Sequence, residues 1–108
     1  MITDKTLWSG VLAESVTTLY SVGSGKRSVV NLWRMFNQAN ADVNINLFAT
    51  ISGNQIPLAK ILFKSGYSLD VLDEEQQLKL TAGDSISGQC SLPNSVNGVI
   101  QGTEESPV

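Results

Sequence analysis

The chain has 108 residues, of which 42% are apolar and only 16% charged, with 7 basic and 10 acidic side chains giving a net charge of −3. That length suits one domain able to bury a core without staples. The acidic balance and scattered cations (Lys5, Lys26, Arg27, Arg34, Lys60, Lys64, Lys79) exclude nucleic-acid binding driven by clustered phosphate contacts.

The low charge, set against the usual quarter of residues, points to a surface partly covered by a neighbour. Histidine is absent and Cys90 is the single cysteine. An intrachain disulfide and a histidine-based triad are thereby excluded, and a zinc site of four nitrogen or sulfur ligands is disfavoured. No apolar run approaches the roughly 20 residues of a membrane-spanning helix. Met1 to Lys5 lacks the basic start and apolar run of a secretory signal, so synthesis and folding in a cytoplasm are expected.

Along the chain, Leu7, Trp8, Val11 and Leu12 mark a first strand within Lys5 to Glu14, interrupted at Ser9-Gly10. Val16 to Ser21 is a second short strand. It runs into Gly23-Ser24-Gly25, whose glycines accept the backbone angles of a tight reversal and which reads as a hairpin turn. Arg27 to Asn37 follows as a long central strand. Simple alternation puts Val29, Asn31, Trp33 and Met35 on one face and Val30, Leu32, Arg34 and Phe36 on the other.

Val43, Ile45, Leu47, Ala49 and Ile51 alternate with Asn44, Asn46, Phe48 and Thr50, the cleanest period of two in the chain. After a turn at Ser52-Gly53-Asn54, Gln55 to Phe63 carries Pro57, which cannot donate to a ladder, so the segment begins as an edge or enters the sheet after Pro57. Shorter strands are expected around Tyr67 to Leu72, Leu78 to Leu80 and Ser85 to Ser91. A last strand has Val96, Gly98 and Ile100 on one face. The acidic end, Glu104 to Val108, reads as a loose tail. The fold expected is all-β: a single antiparallel β-sandwich or jelly-roll-like domain of about eight or nine strands across residues 1–108. Segments 1–6 and 104–108 are expected to be contact arms.

Gly23-Ser24-Gly25-Lys26-Arg27-Ser28 lacks the spacing of a phosphate loop: the earlier glycine position is Tyr20, and Arg27 follows Lys26. Asp70, Asp73, Glu74 and Glu75 could offer oxygens to calcium but lack the spacing of a calcium loop, and a solvated connection is expected there. Asp42, Asp70 and Asp84 are the acids from which a hydrolytic pair could be drawn, and nothing in their spacing brings two together. No catalytic, cofactor or metal residue is therefore assigned. Trp33 and Phe63 are expected in the core. Trp8, Phe36, Phe48, Arg34 and Tyr67 are the candidates for partner contact, since aromatic and arginine side chains anchor interfaces.

Three stretches carry a resemblance. They are Thr18-Leu19-Tyr20-x-Val22-x-Ser24-Gly25-Lys26, Leu80-Thr81-Ala82-Gly83-Asp84-Ser85-Ile86-Ser87, and Ser95-Val96-Asn97-Gly98-Val99-Ile100-Gln101-Gly102-Thr103-Glu104. Over about residues 15 to 105 the chain resembles small β-sandwich virion proteins of tailed bacteriophages, either decorating the head or associated with tail or collar. In those proteins a Tyr-Thr-Val-Pro-Ala-Gly-Lys-like element opens the fold, and Gly23-Ser24 here replaces the Pro-Ala pair.

The resemblance implies a non-enzymatic virion subunit made in a host bacterial cytoplasm. It would attach to capsid or tail as a symmetric oligomer and contact other virion proteins and copies of itself, with no nucleic acid, membrane or cofactor. The alternative is a carbohydrate- or host-receptor-binding module on a tail appendage, with a glycan as ligand.

Overall fold

The computed structural model describes residues 2–72 and 77–106. Nine strands form two antiparallel sheets: β1 (Ile2–Val11), β2 (Thr17–Ser21), β3 (Arg27–Asn37), β4 (Val43–Ile51), β5 (Asn54–Phe63), β6 (Ser68–Leu72), β7 (Leu78–Thr81), β8 (Ser85–Cys90) and β9 (Val96–Glu105). One sheet runs β1-β9-β3-β6, with β7 also on β3, and the other runs β2-β8-β4-β5. The expected all-β sandwich is what forms.

The connectivity is that of a long hairpin folded over on itself and rolled up. β4 pairs with β5, β3 with β6 and β7, β2 with β8, and β1 with β9. Rolling then adds β3–β9 and β4–β8. This nesting is the jelly-roll topology.

Between the sheets lies one apolar cluster that includes Leu12, Val30, Trp33, Met35, Ile45, Leu47, Phe63, Ile86 and Ile100. β4 supplies it by strict alternation, with Val43, Ile45, Leu47 and Ala49 all buried. Trp33 and Phe63 are buried as expected. The Trp33 Nε1–H donates to Met35 Sδ at 3.0 Å, so the indole is not left unpaired. Asn37, also fully buried, donates to the Phe63 and Ala41 carbonyls and accepts from the Ala39 N–H.

Three expectations are corrected. The Gly23–Gly25 turn does not join a hairpin, because β2 and β3 belong to different sheets; it carries the chain round the edge of the sandwich. Lys26 N–H bonds to the Gly23 carbonyl, and of the two glycines only Gly25 (φ 75°) takes a positive angle. Turn chemistry is local, whereas the choice of sheet is made by distant strands. The alternation of β3 is broken by a bulge against β9, where Val30 faces Gly102 but Leu32 faces Gln101. Val30 therefore joins Trp33 and Met35 in the core. Finally, Glu104 and Glu105 belong to β9 and face Thr3 and Ile2 of β1, so the loose tail does not begin at Glu104; Pro107 and Val108 lie outside the described residues.

The one tight hairpin in the β2-β8-β4-β5 sheet joins β4 to β5, with Ser52 (φ 53°) and Gly53 (φ 82°) both left-handed. A non-glycine residue is uncommon at such an angle. Here the Ser52 N–H donates to Asp84 Oδ1 at 3.1 Å, which holds the turn against the β7–β8 corner.

Candidate interaction surfaces

Arg34 and Phe36 project from β3 onto the open face of the β1-β9-β3-β6 sheet, as their alternation from buried Trp33 and Met35 requires. Across the sheet, Phe36 lies level with Asn97 and Val11, and Arg34 with Val99 and Ser9. Val11 and Phe36 are 45% and 41% exposed, so this end of the face is apolar ground in contact with water. A shallow hollow there is lined by Val11, Phe36, Asn97, Gly98 and Val99.

A second, more polar hollow adjoins it and shares Arg34, with Asp4, Thr6, Asn31, Asp70 and Gln101 around it. It sits where both neighbours of β9 bulge: β1 between Thr6 and Trp8, and β3 between Val30 and Leu32. Each bulge adds one residue and tilts the strand locally, which opens the face. Between the hollows, Arg34 Nε donates to Asp70 Oδ1 at 2.8 Å from the facing position on β6. The hydrogen bond to Asp70 pushes the Arg34 pKa up still further.

The other candidates separate from this pair. Tyr67 precedes β6 and is 63% exposed; its carbonyl accepts the Asn37 N–H one step beyond the Phe36 row. Phe48 stands half-buried on the opposite side of the sandwich, level with Pro57 and Ser87. Trp8 faces inward opposite Ile100 and packs against the core from β1. The structure thus brings Arg34 and Phe36 onto one face with Tyr67 at its margin, and leaves Phe48 and Trp8 elsewhere. Val11 and Val99, which complete the apolar patch, were not singled out in the sequence. Their shared face becomes visible only once β1 and β9 are placed in register.

The acids considered for catalysis do not converge. Asp42 accepts the Ser65 N–H before β4 begins, Asp70 is held by Arg34, and Asp84 lies beyond the far end of β4. A nine-residue strand such as β4 spans about 30 Å. Asp84 accepts from the N–H groups of Thr81 (2.9 Å) and Ser52 (3.1 Å), which hold its carboxyl below the usual carboxylate range. Of the four acids weighed as calcium ligands, Asp73, Glu74 and Glu75 lie outside the described residues. Among the described residues no three acidic or sulfur side chains come together as a metal group.

A polar cluster closes one end of the sandwich. Glu104 accepts from Lys5 (3.2 Å), Lys26 (3.3 Å) and the Tyr20 hydroxyl (3.1 Å), and Tyr20 also shares a hydrogen bond with Ser28. The Lys5 bond, with help from Lys26 and Tyr20, holds the Glu104 carboxyl below its usual range. Burial pushes the Tyr20 phenol up.

No family model matches the chain, and no curated protein sequence matches it. Among solved structures, the chain is similar to a pentameric capsid protein isolated from metagenomic phage sequences, found in two crystal structures. Each comparison gives 17% identity and a TM-score of 0.42, covering 94% of this chain and 60% or 62% of the other. The chain therefore spans less than two thirds of the length of the protein it matches.

Proposed function

We propose that the chain is a non-enzymatic structural subunit of a phage virion, attached to capsid or tail as a symmetric oligomer and stabilising the particle by protein–protein contacts. The observation that carries this reading is the apolar ground around Val11 and Phe36 on an open face of a jelly roll. Jelly rolls serve as capsid and lectin domains, and an exposed apolar area rimmed by polar groups suits burial against a neighbour. The turn and strand motifs from Thr18 to Lys26 and from Leu80 to Ser87 point to the same class. In this reading the Arg34–Phe36 face meets the particle. Residues 2–6, paired along β9, act as a strand edge rather than a free arm.

The test adds purified protein to particles assembled without it. Wild-type protein is expected to bind them and raise their resistance to heat, and Phe36→Asp to remain folded but unbound. Absence of binding by folded wild-type protein overturns the reading.

A second reading, a carbohydrate- or receptor-binding module on a tail appendage, is favoured by one observation. Phe36 and Tyr67 are both exposed, beside a polar hollow offering Arg34, Asp70, Asn31 and Gln101. Binding on a glycan array that is lost in Tyr67→Ala, with no attachment to particles, would replace the first reading with the second.

A further inference from the structure

The sheet β2-β8-β4-β5 has two free edges, and they differ in charge and direction. Because the four strands alternate in direction, β2 and β5 run oppositely. A copy placed alongside by rotation about an axis parallel to the strands would therefore bring its β2 antiparallel to β5, continuing the alternation.

One row of side chains crosses this sheet on its outer face. Lys60 on β5 faces Asn46 on β4, which faces Gln89 on β8. Asn46 Nδ2 lies 3.5 Å from Gln89 Oε1, and Gln89 Nε2 donates to the Glu14 carbonyl at 3.1 Å, just ahead of β2. The row begins with a cation and ends at an anionic residue. Among the described residues, neither the Lys60 ammonium nor the Glu14 carboxylate has an ion-pair partner.

Apolar side chains accompany both ends. Beside Lys60, Ile61 and Leu62 are 38% and 56% exposed, although Ile61 stands opposite buried Ile45 on the core side. Beside Glu14, Val16 is 47% exposed. The first half of β5 is guarded by Pro57 and a bulge at Leu58, as edges commonly are, while Ala59–Phe63 is straight and open.

We infer that β5 of one copy adds antiparallel to the β2 edge of the next, joining Lys60 to the neighbour's Glu14 and covering Leu62, on the same outer face, with the neighbour's Val16. This rests on the proposed oligomer and specifies its contact. The contact is head-to-tail, and a rotation that divides the full turn evenly closes it into a ring. Rotation about an axis along the strands keeps every row at its own height, which is why the two ends of a single row meet. The competing two-fold pairing of β5 with a second β5 would set Lys60 near its own copy, where like charges repel.

Charge reversal tests it, with native mass followed by light scattering across a concentration series. Lys60→Glu and Glu14→Lys are each expected to raise the concentration for half-dissociation about fivefold, and the double variant to restore it. Both positions are exposed, so folding is expected to survive and is checked by thermal unfolding. In a Cys90→Ala background, Lys60→Cys with Glu14→Cys is expected to give covalent multimers on oxidation, while Lys60→Cys alone gives none.

A wild-type oligomer indifferent to both reversals, or a disulfide-linked dimer from Lys60→Cys alone, overturns the edge contact and leaves the oligomer standing. A wild-type monomer at every concentration overturns both.

Discussion

The Tyr20 hydroxyl donates to Glu104 Oε2 at 3.1 Å, tying the outermost strand of one sheet to the second strand of the other. Lys5 and Lys26 close on the same carboxylate, so one side chain gathers β1, β2, β9 and the turn before β3. The Glu104 side chain is only 14% exposed, so these bonds are less screened than ordinary surface pairs.

Glu104→Gln is accordingly expected to lower stability at pH 7 by about 1–2 kcal/mol in urea unfolding. The pH dependence follows from the direction of the shift. Because the folded carboxyl titrates below its ordinary value of 4.5, its contribution is fully present above that value and is lost as pH falls through the folded one. The gap between wild type and Glu104→Gln is expected to narrow below about pH 4.5 and vanish in stronger acid. A gap that widened in acid would contradict the assignment.

Asp84 stitches the far end, where its carboxylate receives the Ser52 and Thr81 N–H groups and its carbonyl receives the Val22 N–H. Asp84→Ala leaves two backbone donors unmet and is expected to cost about 1–3 kcal/mol. Asp84→Asn keeps one good acceptor and should fall between. The wild-type contribution is again held above the ordinary value of 3.8 and lost as pH drops through the lowered one, which acid unfolding of the Asn variant would report.

Gly102 is required by space rather than by backbone angle. A Cβ there would lie 2.1 Å from the Val29 carbonyl oxygen, so Gly102→Ala must push β9 away from β3. A loss of about 2–3 kcal/mol is expected in thermal or urea unfolding. Gly25→Ala, with open space around it but φ at 75°, should cost only about 1 kcal/mol. Equal costs at the two sites would refute the distinction.

The Arg34–Asp70 pair is exposed on both sides, at 57% and 47%, and holds the surface in shape more than it holds the fold together. Arg34→Ala is expected to leave stability essentially unchanged while weakening attachment to particles. A large loss of stability without loss of attachment would assign the pair to the fold instead.

What the sequence determined by itself was local. The period of two in Val43–Ile51, the glycine and asparagine turns, and Pro57 at an edge follow from how neighbouring residues twist and pair, and they marked all-β structure and a core around Trp33 and Phe63. Within the surface, Arg34 and Phe36 were legible because they alternate with that core. What the tertiary structure alone decided was everything set by hydrogen bonds between distant strands. These fixed that β2 and β3 part into different sheets, that a bulge moves Val30 inward, and that Val11 reaches the Phe36 row. They also turned Glu104 inward and set Lys60 and Glu14 at the two ends of one row. Ladder partners lie tens of residues apart, and one inserted residue turns a strand's later side chains to the other face, so no local pattern carries that information.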